Sequence, residues 1–376
     1  MLVTSQRDSG KRKGLHSRMP LSRVKNKLYT KAIMNRPSVL LVFGGESSEH
    51  DISLSSARNV YAAIDDKLFH VDPVYIDRHG KWWLLKSFGQ EVSLEGAVQL
   101  VPALGAASFL TLPYNRIIRP DVILPILHGK NGEDGAIQGL ARLLHIPIVG
   151  CDMEASSLCM DKVATKVILA HHGIDVVPYE THRDGQPTPD GDALAERLGF
   201  PLFVKPARSG SSIGVSRVAH AEQLTDALAA AHEHDSVALI EKGVTARELE
   251  VAVLGNPPRH EISKVGEIHP DGDFYSYDAK YAAASMSGVI VPAVIEASQA
   301  EHIRKIASRV YELLGCEGMA RVDFFLTGAG KLYVNEVNTI PGFTNISMYP
   351  KLWQASGVSY TKLIERLIRL ALKKNR

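Results

Sequence analysis

The sequence predicts an α/β protein of two or three domains that opens on a parallel sheet. Three observations carry this. The chain has 376 residues, too many for one typical domain and enough for two or three that each bury a core. Apolar residues make up 45% and charged residues 22%, the balance of an ordinary globular chain and not of a disordered or fibrous one. Short apolar runs alternate with amphipathic stretches, the pattern of a parallel sheet whose strand-end loops carry function.

Taken in order, residues 1–35 stand apart. Basic residues from Arg7 to Arg36 are opposed by Asp8 alone, and the remainder of the chain is net acidic. Such a leader fits contact with nucleic acid, an anionic membrane or a targeting receptor. It lacks an apolar signal segment, and Met34 directly precedes the first strand, so an upstream start translated into a disordered tail is the simpler account. We set it aside from the fold.

From Ser38 a buried strand over 39–43 leads through Gly44-Gly45 and a polar loop into an amphipathic helix over 54–64. A strand over 71–76 follows, and Arg78-His79-Gly80 turns into 82–85 as a hairpin insertion. A strand over 121–127, a loop over 128–134, a helix over 136–144 and a short strand over 146–149 complete a first domain, 36–156. The second, 157–247, holds a helix over 158–172, strands over 202–205, 214–218 and 238–241, and a helix over 221–232. The third, 248–376, holds strands, a Ser/Tyr/Gly-rich loop over 271–288, a helix over 298–314, a hairpin and an amphipathic helix over 360–372.

No apolar run approaches the roughly 18 residues of a membrane span. Cys151, Cys159 and Cys316 are odd in number and lack CxxC or Cys/His spacing, which argues against a disulfide framework or a zinc site and fits a reducing cytosol.

Three constellations carry chemistry. In 205–215, Lys205 precedes a Ser/Gly-rich stretch flanked by strands, in which backbone N–H groups can close on phosphate oxygens. The GK[ST] ending of a Walker loop is missing, and such a hairpin on its own is more often just a turn. Next, Arg321 and Asp323 on one strand, and Glu336 and Asn338 on the next, share a face. A hairpin closing symmetrically about Gly328-Ala329 sets Arg321 opposite Glu336. Two carboxylates and an amide suit magnesium; a solvated polar sheet face is an equal alternative. Last, a strand ends in Glu241-Lys242 with Glu248 beyond, as at the adenine edge and ribose of a nucleotide cleft, or simply a strand leaving the core.

In their order, the segments FGGESSEHDISLSSA, LHGKNGEDGAIQG, MDKVATK, VKPARSGSSIGVS, IEKGVTARELEVAV, YSYDAKY, MARVDFFL and VNEVNTIPGFTNISMYPKLWQASG resemble the D-alanine:D-alanine ligases of the ATP-grasp superfamily. The resemblance runs from about Pro37 to the C-terminus. It implies a three-domain ATP-grasp fold, a Rossmann-like parallel-sheet domain followed by two α+β domains that clamp ATP. It further implies a bacterial cytoplasmic enzyme that joins two D-alanines through D-alanyl phosphate for peptidoglycan precursors. ATP is the co-substrate with two Mg2+ (or Mn2+) ions, and the form is a homodimer that binds neither nucleic acid nor membrane.

Carried over residue by residue, the resemblance assigns Lys162, Lys205, Ser212 and Lys280 to the ATP phosphates, Glu241, Lys242 and Val244 to the adenine pocket, and Glu248 to the ribose. Asp323, Glu336 and Asn338 would bind the metal. Glu49 would take the ammonium of the first D-alanine in a triad with Ser211 and Tyr281, with His128 beside it. Arg321 and the N–H of Gly342 would stabilise the tetrahedral oxyanion, and Ser347 and Met348 would bind the second carboxylate. Three departures stand out: Asp51 where the family carries glutamate, a bland stretch over 282–288, and the basic leader. The alternatives are a D-alanine:D-lactate ligase, against which Lys280-Tyr281 argues, and an ATP-sensing nucleic-acid-binding protein using the leader. A Rossmann dehydrogenase fails on the missing GxGxxG.

Overall fold

A computed structural model describes residues 36–269 and 288–374. The basic leader, and the segment with Lys280 and Tyr281, lie outside the described residues.

The first sheet has seven strands in the order β6-β5-β4-β3-β2-β1-β7. They are β1 Ser38–Gly44, β2 His70–Ile76, β3 Trp82–Leu84, β4 Val98–Ala103, β5 Ser108–Leu112, β6 Ile117–Ile118 and β7 Val122–Ile126. The expected parallel sheet is its β2-β1-β7 core. From β2 outward the sheet continues antiparallel, so the hairpin insertion grows into a four-strand extension. Because successive side chains alternate, β1 feeds two cores. Val39, Leu41 and Phe43 pack with helix α1 (His50–Ala63) and the C-terminal helix α9 (Tyr360–Lys373), while Leu40 and Val42 pack with α2 (Ala136–Leu144).

Two expected elements are reshaped. Residues 146–149 make only a bridge, Ile123 to Ile148, since Pro147 has no N–H to extend the ladder. The single helix over 158–172 is two, α3 (Met153–Met160) and α4 (Lys162–His171). Asp161 separates them: it leaves helical geometry, and its carboxylate accepts the N–H groups of Val163 and Ala164 as the cap of α4.

The second sheet is antiparallel, ordered β10-β9-β11-β8, from β8 Tyr179–Arg183, β9 Leu202–Pro206, β10 Ser216–Val218 and β11 Val237–Lys242. Helices α5 (Gly191–Leu198) and α6 (Leu224–His232) cover it, burying Leu194, Val204, Leu228 and Ile240 together. A 3-10 turn, Ala221–Gln223, replaces the first turn of the expected helix over 221–232.

The third sheet, β14-β13-β12-β15-β16, comprises β12 Ala246–Asn256, β13 Arg259–His269, β14 Gly288–Ile290, β15 Met319–Thr327 and β16 Leu332–Asn338. Helix α7 (Ala297–Leu313) packs on it through Ile303, Ala307 and Val310, and α8 (Met348–Ala355) links it to the first core through Leu352 and Trp353. The β15–β16 pairing corrects the symmetric closure. Three residues, 328–330, form the turn, and one residue of β16 is extra between Phe324↔Val334 and Asp323↔Glu336. Asp323 therefore faces Glu336, and Arg321 faces Asn338. The two one-residue shifts cancel in parity, so the four polar side chains still share a face although each has a different partner.

Candidate active site

The three sheets meet around a cleft. Its lining brings together Glu49, His128, Lys162, Ser211, Arg321, Glu336, Asn338, Gly342, Ser347 and Met348, all expected from sequence.

Its floor is the β12-β15-β16 surface. Arg321 donates a fork to its strand neighbour Asp323, Nε to Oδ1 at 2.7 Å and Nη2 to Oδ2 at 2.6 Å, and Nε lies 2.9 Å from Glu250 Oε2 on β12. Asn338 Nδ2 donates to Asp323 Oδ2 at 3.0 Å. Burial opposes the guanidinium charge, but Asp323 and Glu250 outweigh it and hold Arg321 protonated well above its ordinary range. The donors of Asp323, Glu336 and Asn338 are hard oxygens. Among the described residues no three His, Cys, Asp or Glu gather as a metal cluster. Two carboxylates and an amide nevertheless fit magnesium, which takes few protein ligands and fills its shell with water and phosphate.

One wall comes from α4. Lys162 and Lys166, four residues apart, stand on one helix face. Lys162 Nζ donates to Ser209 O at 2.7 Å in the glycine hairpin and lies 3.7 Å from Glu336 Oε2. Burial pulls its pKa down, and Glu336 opposes the shift. Lys166 reaches Glu241 on β11, which also holds Lys205 from β9. Burial would raise the Glu241 pKa, but the two lysines outweigh it and keep the carboxylate ionised.

The opposite wall is the N-terminal loop. Glu49 stands at the N-cap position of α1 yet caps no helix N–H; its carboxylate turns across the cleft and accepts the Ser211 hydroxyl. Ser211 and Ser212 both have positive φ, 53° and 57°, a conformation that costs non-glycine residues energy and folds the hairpin tip over the cleft. His128 is buried between Ser56 Oγ (Nε2, 3.1 Å) and Ile340 O (Nδ1, 3.2 Å), which ties β7 to α1 and to the 340–347 loop. In that loop Ser347 Oγ accepts from Thr344 N at 2.9 Å, and a Cβ on Gly342 would stand 2.7 Å from it. Asp51, expected in the first loop, stands in the first turn of α1 and pairs with Arg78 at 2.8 Å on the exposed side.

Other expected residues lie outside the lining. Asp323 sits behind Arg321, Glu241 and Lys205 belong to the buried ion cluster with Lys166, and Ser212 adjoins Ser211. Lys242 ends β11 with Val244 in the loop beyond, and Glu248 is on β12. Three residues here were missed from sequence: Lys166, Glu250 and Glu133. Glu133 accepts the Gly129 N–H at 3.1 Å and lines the cleft. Enclosure in the cleft, then the neighbouring carboxylate of Glu49, push its pKa up to about 8. The four-residue spacing from Lys162 was the available signal for Lys166; Glu250 shows itself only through the pairing of β12 with β15.

Family models cover most of the chain: one described as D-ala D-ala ligase N-terminus matches residues 38–151, and one described as D-ala D-ala ligase C-terminus matches residues 168–369. A D-alanine–D-alanine ligase of Sodalis glossinidius is 44% identical over 351 residues, 89% of this chain and 94% of that protein. D-alanine–D-alanine ligase A of Escherichia coli K12 is 43% identical over 355 residues, 91% and 97% of the two chains. Among solved structures, the D-alanine-D-alanine ligase from Coxiella burnetii superposes with a TM-score of 0.81 at 34% identity, covering 90% of this chain and 94% of that one. VanG D-Ala:D-Ser ligase from Enterococcus faecalis gives 0.80 at 35% identity, covering 90% and 100%.

Proposed function

Because the chain belongs to the D-alanine–D-alanine ligase family, we propose that it joins two D-alanines into D-alanyl-D-alanine with cleavage of ATP to ADP and phosphate. The observation that carries this reading is the hydrogen bond of Ser211 to Glu49, which closes the glycine hairpin onto the N-terminal loop above the Arg321 floor.

Glu49, anchored by Ser211, receives the ammonium of the first D-alanine and so aims that D-alanine's own carboxylate at the terminal phosphorus. That carboxylate attacks, ADP leaves, and D-alanyl phosphate forms. The amine of the second D-alanine, after losing a proton, attacks the acyl carbon, and phosphate leaves. Arg321 and the Gly342 N–H face the oxygen that gains charge. Ser347 and Met348, at the start of α8, bind the second carboxylate. Lys162 and Lys205 take the phosphates, with Ser212 at the hairpin tip. Glu241, Lys242 and Val244 border the adenine, and Glu248 the ribose. Magnesium or manganese, two ions held by Asp323, Glu336 and Asn338, would neutralise phosphate charge. Lys280 and Tyr281 complete the set from the sequence resemblance.

A homodimer in the cytoplasm belongs to the same proposal. No helix among the described residues is long and apolar enough to cross a membrane.

The test is phosphate release from ATP and magnesium with D-alanine alone, then with D-lactate or D-serine added, with products identified by mass. D-alanyl-D-alanine as the main product in every mixture supports the reading. A depsipeptide or D-alanyl-D-serine as main product moves the second substrate, and no D-alanine-dependent release overturns the activity.

A further inference from the structure

Glu241, at the end of β11, is shared by two ammonium groups: Lys166 Nζ lies 2.5 Å from Oε1 and Lys205 Nζ 2.5 Å from Oε2. One carboxylate cannot neutralise both, so this buried trio carries a positive surplus, which the interior tolerates poorly until an anion completes it.

The two lysines are not equivalent. The Lys166 side chain is 1% exposed, and its ammonium also sits 5.5 Å from the centroid of the Tyr179 ring, on the strand paired with Glu241. It has no solvent-side direction to move in. The Lys205 side chain is 14% exposed and stands on β9 just before the glycine hairpin, which Lys162 already touches through Ser209. An arriving polyphosphate can therefore draw Lys205 away, but only if Glu241 is not left bare.

We propose that Lys166 is a positioning residue, the resident counter-ion of Glu241, whose presence lets Lys205 leave that carboxylate for the phosphates of the nucleotide. The inference rests on the reading of this cleft as an ATP site. Without Lys166, the nucleotide must compete with a buried carboxylate for Lys205. The effect falls on nucleotide binding, while the chemical step and D-alanine binding are spared.

The experiment compares full-length wild type with Lys166→Met, Lys205→Met, Glu241→Gln and Lys166→Met/Glu241→Gln. ADP affinity is read by calorimetry, KM for ATP and kcat by phosphate release, and Tm by thermal melting. Lys166→Met should weaken ADP binding and raise KM for ATP by about tenfold or more, with kcat held within about threefold. The neutral double variant should bind ADP as Glu241→Gln does, because the carboxylate that retains Lys205 is gone. Lys205→Met should melt close to wild type, and Lys166→Met well below it. ADP affinity within about twofold of wild type in Lys166→Met, a double variant weaker than Glu241→Gln, or a Lys205→Met loss of Tm equal to that of Lys166→Met each overturns the proposal. If Lys166→Met does not fold, the double variant and Lys205→Met decide alone. Wild type that binds no ADP would instead overturn the nucleotide site itself.

Discussion

The Ser211 hydroxyl donates to Glu49 Oε1 across 162 positions of sequence, the contact where the glycine hairpin meets the N-terminal loop. A hydrogen bond to a charged group contributes about 1.5–3 kcal/mol. Here it positions a carboxylate at the mouth of a cleft and holds no core together. Ser211→Ala should therefore lower kcat/KM for D-alanine by roughly one to two orders of magnitude with Tm almost unchanged. A full loss of Tm with wild-type activity in the surviving folded fraction would assign the contact to stability alone.

Arg321 invites the opposite expectation. It is buried with Asp323 and Glu250, so Arg321→Met removes the cation that both carboxylates share and should destabilise the protein by about 3–5 kcal/mol. Arg321→Lys keeps a charge but loses the fork that spans both oxygens of Asp323. Its Tm should fall less than that of Arg321→Met, while kcat still falls about 100-fold or more. Melting and steady-state rates on the pair separate the two roles.

Glu133 gives a pH prediction for the protein free of nucleotide and metal. Its pKa is pushed up to about 8 from 4.5, so the folded state holds a proton that the unfolded state has released. Stability from this group is full below pH 4.5 and is lost as pH rises toward 8. Glu133→Gln removes the dependence, so its Tm should gain on wild type steadily over that window, by several degrees at the top. Parallel Tm profiles for the two proteins would show that Glu133 titrates normally.

Much of this site was legible because its residues sit in short local motifs: Lys162 opens α4, Lys205 precedes the hairpin, and Arg321 and Asp323 alternate on one strand. What the motifs do not encode is partnership. Lys205 was expected on phosphates and is found on Glu241, and Glu250 joins Arg321 only through sheet pairing. The missed elements have physical reasons too. Pro350 in the first turn of α8 masks its helical pattern, although a proline is tolerated there. Strand β8 is polar at Glu180, Thr181 and Arg183 because it is an edge.

The extra residue in β16 supports a sharper test. Asn335 lies between Val334, opposite Phe324, and Glu336, opposite Asp323, and its buried Oδ1 has no hydrogen-bond partner among the described residues. Deleting Asn335 turns the strand into a regular ladder that keeps both pairings, and Asn338 stays opposite Arg321. Deleting Val337 instead leaves the bulge and moves Asn338 opposite Val322, onto the apolar face. Magnesium-dependent ADP binding should survive the first deletion within about tenfold and vanish in the second, with circular dichroism confirming that both proteins fold. Loss of binding in a folded Asn335 deletion would mean that the bend of the bulge, and not register alone, aims Glu336 at the cleft.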